Sequence, residues 1–265
     1  MTTTAKTIRT TSTRTPATGR GTVVRLATAA VLASMAATAA GGTAAAAPSA
    51  PLPTFTGYGN GTSDTTTGDR NTNGGGTTDS PLLSPKQVAA TLGAGTFKED
   101  WSSTKLRDND FNVSPSSCVA TYAPAMAEAY GATPEAVVQN ILVDTGNDDV
   151  RITQAVVALA SKSDVAAQMK ATVKQFKACA GTTISFREDG SSPLKMTNGD
   201  PEINDDKTVL SLLQQDTKGP QTCERAVAGY RNAIIDVLVC GSGSTHGQGV
   251  AVAQALSDKV SSQKA

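Results

Sequence analysis

Four cysteines, one histidine and three groups of aspartates are the residues of this chain best suited to do chemistry. Cys118, Cys179, Cys223 and Cys240 contain no C-x-x-C pair, and their intervals are too wide for a compact zinc knuckle. His246 lies in the loop Gly241–Gly249 (GSGSTHGQG) and is the one histidine available as a catalytic base. A nucleophile activated by it would need a strained G-x-S-x-G turn or an equivalent, and the sequence has none. His246 is therefore expected to be a solvated residue in the first turn of the last helix, and no catalytic residue is assigned. The same loop is glycine-rich and precedes a helix, so its N–H groups could hold an anion. It lacks the Gly-Lys-Ser/Thr of a phosphate-binding loop and the fingerprint of a dinucleotide site; its expected role is a flexible connection and helix cap.

The carboxylates divide into Asp108/Asp110, Asp144/Asp148/Asp149 and Asp205/Asp206. None has the spacing of a calcium loop ending in a bidentate glutamate, so they are expected to close turns. Glycoside hydrolysis needs two carboxylates at a set distance, and no pair is singled out by sequence. The aromatic content of 4% also counts against a carbohydrate-stacking groove. No metal and no cofactor is expected.

Compartment decides what the thiols do. Residues 1–46 hold five basic residues, Lys6, Arg9, Arg14, Arg20 and Arg25, and no acidic one. An apolar run from Leu26 to Ala47 follows, ending at Ala44-Ala45-Ala46 before Ala47-Pro48. A basic leader, an apolar stretch and a small-residue tail describe a secretory signal peptide over 1–46. The competing reading is an uncleaved membrane anchor, but the run is mostly Ala, Gly and Thr and buries little apolar area. No cysteine precedes Cys118, which argues against a lipid-modified amino terminus. Export places the four thiols in an oxidising compartment, where an even number is normally paired. Of 23 basic and 23 acidic residues, the leader removes five basic ones and leaves 18 against 23. A net negative remainder disfavours nucleic acid and anionic lipid as partners. Residues 47–80, rich in Gly, Thr, Asn, Asp and Pro, bury too little to offset the entropy of ordering and read as a disordered linker. The folded domain is expected over 81–265.

Elements that could position a site begin at Ser84, an N-cap followed by Pro85 and by Gln87 at the capping-box position, with Gly93 as the stop. A second short helix is predicted over Pro124–Tyr130, ended by Gly131. Ala136–Val143 and Arg151–Leu159 are β-branched, bounded by turn residues, and read as paired strands. Asp164 to Cys179 carries Val165, Met169, Val173 and Phe176 at helical spacing. Short strands are predicted over Thr182–Arg187, around Leu194–Met196 and over Thr208–Leu213. A last helix, about Gly247 to Ser262, places Val252, Leu256 and Val260 four apart. Hairpins with helices packed against them indicate an α+β fold with a mainly antiparallel, twisted sheet.

The stretch from Thr222 to Cys240 constrains register. If its two halves pair about a tip at Arg231-Asn232, Cys223 stands directly opposite Cys240, within reach of a disulfide. The second strand, Ala233–Val239, is apolar except for Asp236, which suggests burial on both sides.

These residues resemble the extracellular sensor-domain family of mycobacterial receptor Ser/Thr kinases of the PknH type. Leu82-Leu83-Ser84-Pro85 through Leu92-Gly93 resembles the opening helix, and Cys118 the first cysteine. Phe176-Lys177-Ala178-Cys179-Ala180-Gly181 resembles the W-x-x-C-A-G segment, with Phe176 in place of the tryptophan. Cys223-Glu224-Arg225-Ala226 and Arg231 to Val237, closing on Cys240-Gly241, resemble the terminal hairpin, and Ala255 to Val260 the closing helix. The resemblance spans about residues 80–263. It implies pairing of Cys118 with Cys179 and of Cys223 with Cys240, and a sheet packed with helices around a broad cleft for an external ligand. No Gly-rich ATP loop, H-R-D-type loop or D-F-G is present, so the chain is expected to be a free-standing, secreted or envelope-associated relative. The function expected is non-catalytic binding of an extracellular small molecule or envelope component at unassigned residues. The alternatives are an exported hydrolase with an unrecognised site and a structural envelope protein that engages a partner.

Overall fold

The computed structural model describes residues 80–147, 149–187, 192–204 and 208–263. The leader assigned to 1–46 and all but the last residue of the linker assigned to 47–80 lie outside them, as do Asp148, Asp205 and Asp206.

Helix α1 (Pro85–Leu92) starts where the sequence places it: the Ser84 hydroxyl accepts from Gln87 N, and the Gln87 side chain returns to Ser84 N. Gly93 ends it with φ of 70°, a left-handed conformation that suits glycine. The strands are β1 (Phe97–Ser103), β2 (Ala136–Asp144), β3 (Arg151–Ala158), β4 (Thr183–Phe186), β5 (Leu194–Ile203), β6 (Val209–Asp216), β7 (Gln221–Tyr230) and β8 (Ala233–Ser242). They form one antiparallel sheet of eight strands in the order β1-β2-β3-β8-β7-β6-β5-β4. Two meanders are thus joined by the pairing of β3 with β8. Helix α3 (Lys162–Ala178) lies between them in sequence, and α4 (Gln248–Ser262) closes the domain.

Alternation along the strands sorts the core into two faces. Ala233, Ile235, Val237 and Val239 of β8 pack with Val88 of α1 and with Val252 and Leu256 of α4. Ile234 of β8 and Val227 of β7 pack instead with Val165 and Phe176 of α3. Gly229 allows that second contact, because a Cβ there would stand 2.8 Å from Val165 Cγ1 and 3.0 Å from Met169 Cγ. The result is three layers, with α1 and α4 on one face and α3 on the other.

Besides β5, which runs on to Ile203 beyond the short strand expected around Leu194–Met196, three elements differ from the sequence expectation. The predicted helix over Pro124–Tyr130 is instead α2 (Val119–Tyr122) followed by one 3-10 turn, Ala127–Ala129. Ala123 is extended and Ala125 has φ of 53°, and the Ala125 N–H is taken by the Asp236 carboxylate at 2.9 Å. A tertiary acceptor thus replaces the helical one. Helix α3 starts before Asp164, because Ser161 caps it by accepting from Asp164 N. Strand β1 had no signature, since FKEDWSS buries only Phe97 and lies at a sheet edge, where charged residues are tolerated.

The hairpin tip falls at Arg231-Asn232, with Arg231 at φ of 52°. Asn232 exchanges backbone and side-chain hydrogen bonds with Leu159, pinning the tip to the end of β3. Cys223 pairs with Cys240 across β7 and β8 at a Cα separation of 4.0 Å, and Cys118 is joined to Cys179 at 5.7 Å. All four sulfurs sit in one cluster with Met126, Ile184 and Met196 on the α3 face. Non-reducing peptide mapping is expected to recover these two linkages. Replacing Cys223 and Cys240 together by alanine is expected to lower stability by about 3 kcal/mol in urea unfolding. A crossed linkage would contradict the hairpin register.

Candidate functional site

Among the described residues a cleft of about 580 Å³ lies on the α4 face, beyond the amino-terminal end of that helix. Its floor is the outer half of the sheet, contributed by β5 at Thr197–Gly199 and β6 at Leu213–Gln215. Pro220 and Thr222 form one side, and the β8–α4 loop at Gly243–Thr245 forms the opposite wall. Two local features open it. The β5–β6 register shifts between Asn198 and Pro201, so β5 bulges at Gly199. A Cβ on Gly199 would lie 3.2 Å from Leu213 O, so a side chain there would push the strands apart.

The walls are held by hydrogen bonds rather than by apolar packing. Thr222 Oγ1 donates to Gly243 O and lies 3.1 Å from Thr245 Oγ1, while Gly243 N donates to Pro220 O at 3.1 Å. Asn198 and Gln214 turn their amides to the opposite face, where Asn198 Nδ2 donates to Thr121 Oγ1 and Gln214 Nε2 to Thr121 O. Their backbones are what they present to the cleft. The side chains that border the cleft are Thr197, paired with Thr183, Gln215, which donates to Gln221 O, the linked Thr222 and Thr245, and the exposed Ser244, with Leu213 and Pro220 as the apolar part.

The glycine-rich loop does bind an anion, one supplied by the protein itself. Glu224 lies two residues along β7 from Thr222 and is 1% exposed. Its carboxylate accepts from Gly247 N at 3.1 Å and from Gly249 N at 2.6 Å. The first N–H groups of α4 are thereby satisfied from the sheet, where a negative charge suits the helix dipole. Gly249 is needed for the approach, since a Cβ would stand 2.8 Å from Glu224 O. Sequence reasoning missed this pairing because Glu224 and Gly249 lie on separate elements; the one local signal was the charged pair Glu224-Arg225 directly before the apolar run Ala226–Ala228.

His246 is exposed and its Nε2 lies 3.7 Å from Glu202 Oε2 on β5. Asp144 accepts from Thr96 N and Gly146 N, which hold its carboxyl below the usual carboxylate range, and Asp149 accepts from Ser242 Oγ. Asp144 therefore closes a turn as the sequence suggests, whereas Asp149 ties the β2–β3 turn to the end of β8. Among the described residues no group of three or more His, Cys, Asp and Glu is placed to hold a metal ion.

On the α3 face, Arg225 and Asp236 form a buried ion pair at 2.5 Å, 2% and 5% exposed. Asp236 also accepts from Ala125 N and the Tyr130 hydroxyl, while Arg225 donates to Val237 O and Ala120 O. Burial, reinforced by the nearby Asp236 carboxylate, pushes the Tyr130 hydroxyl well above its ordinary range. This cluster is enclosed and serves the scaffold. Trp101, Phe111, Tyr122 and Phe186, dispersed in sequence, form a surface strip on which Arg107 stacks between Trp101 and Phe111.

Burial raises the Glu224 carboxyl above the ordinary value of 4.5, against the lowering effect of the Gly247, Gly249 and Val250 N–H groups. The folded state then keeps a proton that the unfolded chain has released. The contribution of Glu224 to stability is full below the ordinary value and is lost as pH rises through the raised one. Urea unfolding across this range should show the native chain losing stability relative to Glu224→Gln as pH rises. The opposite slope would mean that the N–H donors outweigh burial.

The comparisons agree with this architecture. The family profile for the PknH-like extracellular domain matches residues 75–259. Serine/threonine-protein kinase PknH of Mycobacterium bovis is 22% identical over 184 residues, which cover 69% of this chain and 30% of the kinase. The Mycobacterium tuberculosis kinase of the same name is also 22% identical, with 29% of its length covered. The chain thus spans about a third or less of the curated relatives it matches. The crystal structure of the extracellular domain of PknH from Mycobacterium tuberculosis superposes with a TM-score of 0.63 at 22% identity, covering 69% of this chain and 94% of that one. The chain belongs to the PknH-like extracellular domain family and carries its sensor-like α+β fold.

Proposed function

We propose that the domain works outside the cytoplasm as a non-catalytic binding module whose ligand occupies the cleft between β5–β7 and the loop opening α4. The observation that carries this reading is the cleft itself. It is of ligand size and bordered by hydroxyls, the exposed Gln215 amide and a small apolar patch. Membership of a family of extracellular domains and two disulfides support exposure to an oxidising compartment. In the relatives the matched region is part of a kinase; the proposal for this chain is recognition by this domain outside the cytoplasm.

Catalysis finds little support in the site. The lining holds three threonines and one serine, and the nearest imidazole, His246, faces Glu202 rather than any of those hydroxyls. A serine or threonine nucleophile needs a base in hydrogen-bond reach and a third group to orient that base. The full-length chain is expected to leave a panel of chromogenic esters, glycosides, peptides and phosphoesters unchanged. Turnover of any of them that disappears in His246→Ala would instead establish a hydrolase.

A further inference from the structure

We propose that the cleft selects an uncharged, hydroxyl-rich ligand, a short neutral glycan, and discriminates against anions and cations. This deepens the proposed function and rests on its assignment of the cleft. All eleven residues that line the cleft are uncharged. The nearby carboxylates are engaged: Glu224 holds Gly247 N and Gly249 N, Glu202 faces His246, and Asp216 accepts from Lys218 N, while the exposed Lys195 and Lys218 lie outside the lining. Asp200, exposed beside Gly199, stays outside the lining. The amino-terminal turn of α4, which would favour an anion, already holds the Glu224 carboxylate. A charged ligand would therefore lose hydration without gaining a counter-charge.

The polar groups on the lining are mostly hydroxyls: Ser244 is exposed, whereas Thr197 is paired with Thr183 and Thr222 with Gly243 O and Thr245, so these threonines offer a ligand their remaining acceptor capacity. A hydroxyl both donates and accepts, so it matches a ligand whose own groups do the same. A peptide fits less well, because its fixed N–H and C=O groups are recognised by adding a strand to an open edge. The strands flanking this cleft are paired on both sides, β5 with β4 and β6 and β7 with β6 and β8. The lining contains no aromatic residue, so selection operates through hydrogen bonds and shape with Leu213 and Pro220 as the apolar surface.

The test is an amide NMR titration of the full-length chain with four probes. They are maltose, a phosphorylated maltose, N,N′-diacetylchitobiose and its cationic deacetylated form. At least one neutral disaccharide is expected to give saturable shifts at Gly199, Gln215, Thr222, Ser244 and Thr245, with its charged counterpart at least about tenfold weaker. Ser244→Ala, at an exposed loop position, is expected to weaken that binding about tenfold while leaving the unfolding midpoint unchanged. Equal or tighter binding of a charged form at the same amides overturns the neutral-ligand proposal and leaves the cleft as the site. Shifts confined to amides remote from the cleft overturn the assignment of the cleft as well. No response to either neutral disaccharide overturns the glycan proposal.

Discussion

The fold depends on how one buried ion pair, Arg225 with Asp236, is completed. Two charges removed from water cost several kcal/mol each, and their attraction repays that only if the remaining donors and acceptors are also satisfied. Here most of them are satisfied, largely by the segment that crosses the α3 face: Ala120 O, together with Val237 O of β8, accepts from the guanidinium, and Ala125 N and the Tyr130 hydroxyl donate to the carboxylate. Arg225 Nε is the one buried atom of the pair without a partner. The crossing segment cannot leave without stranding a charge, so α2, the 3-10 turn and the Cys118–Cys179 bridge are fixed relative to β7 and β8. Neutral groups extend the same logic, with Gln168 of α3 gripping Ala129 O and Gly131 N.

The neighbouring residue on β7 does the equivalent work on the other face. Strand pleating directs Glu224 away from Arg225, toward α4, where it neutralises the helix terminus and anchors the loop that walls the cleft. Two consecutive charges in one central strand thus orient the two outer layers. The functional consequence is a cleft whose shape rests on buried charges while its own surface is neutral. Charge serves the scaffold, and hydroxyls are left for recognition.

Much of this was legible in sequence wherever the signal was local. The capping box at Ser84, the 3.6-residue pattern ending at Phe176 and the register that sets Cys223 opposite Cys240 each involve residues close in the chain or paired about one turn. Asp236 stood out as a carboxylate in an apolar strand, but its partners Ala125 and Tyr130 lie more than a hundred residues away. That separation also explains the mistaken helix over Pro124–Tyr130, where the long-range acceptor overrides local propensity. The cleft was legible only as an implication of family resemblance, because its walls come from three strands and a loop. The low overall aromatic content concealed the strip around Arg107, which forms from scattered residues.

A double-mutant cycle on Arg225 and Asp236 tests the organising role of the pair most directly. Arg225→Ala and Asp236→Ala should each cost about 3–5 kcal/mol in urea unfolding, because each leaves an uncompensated buried charge. The double variant should be more stable than the sum of the two losses by about 2 kcal/mol or more. Losses that simply add would contradict the coupling, and would mean that Arg225 and Asp236 stabilise the two strands independently.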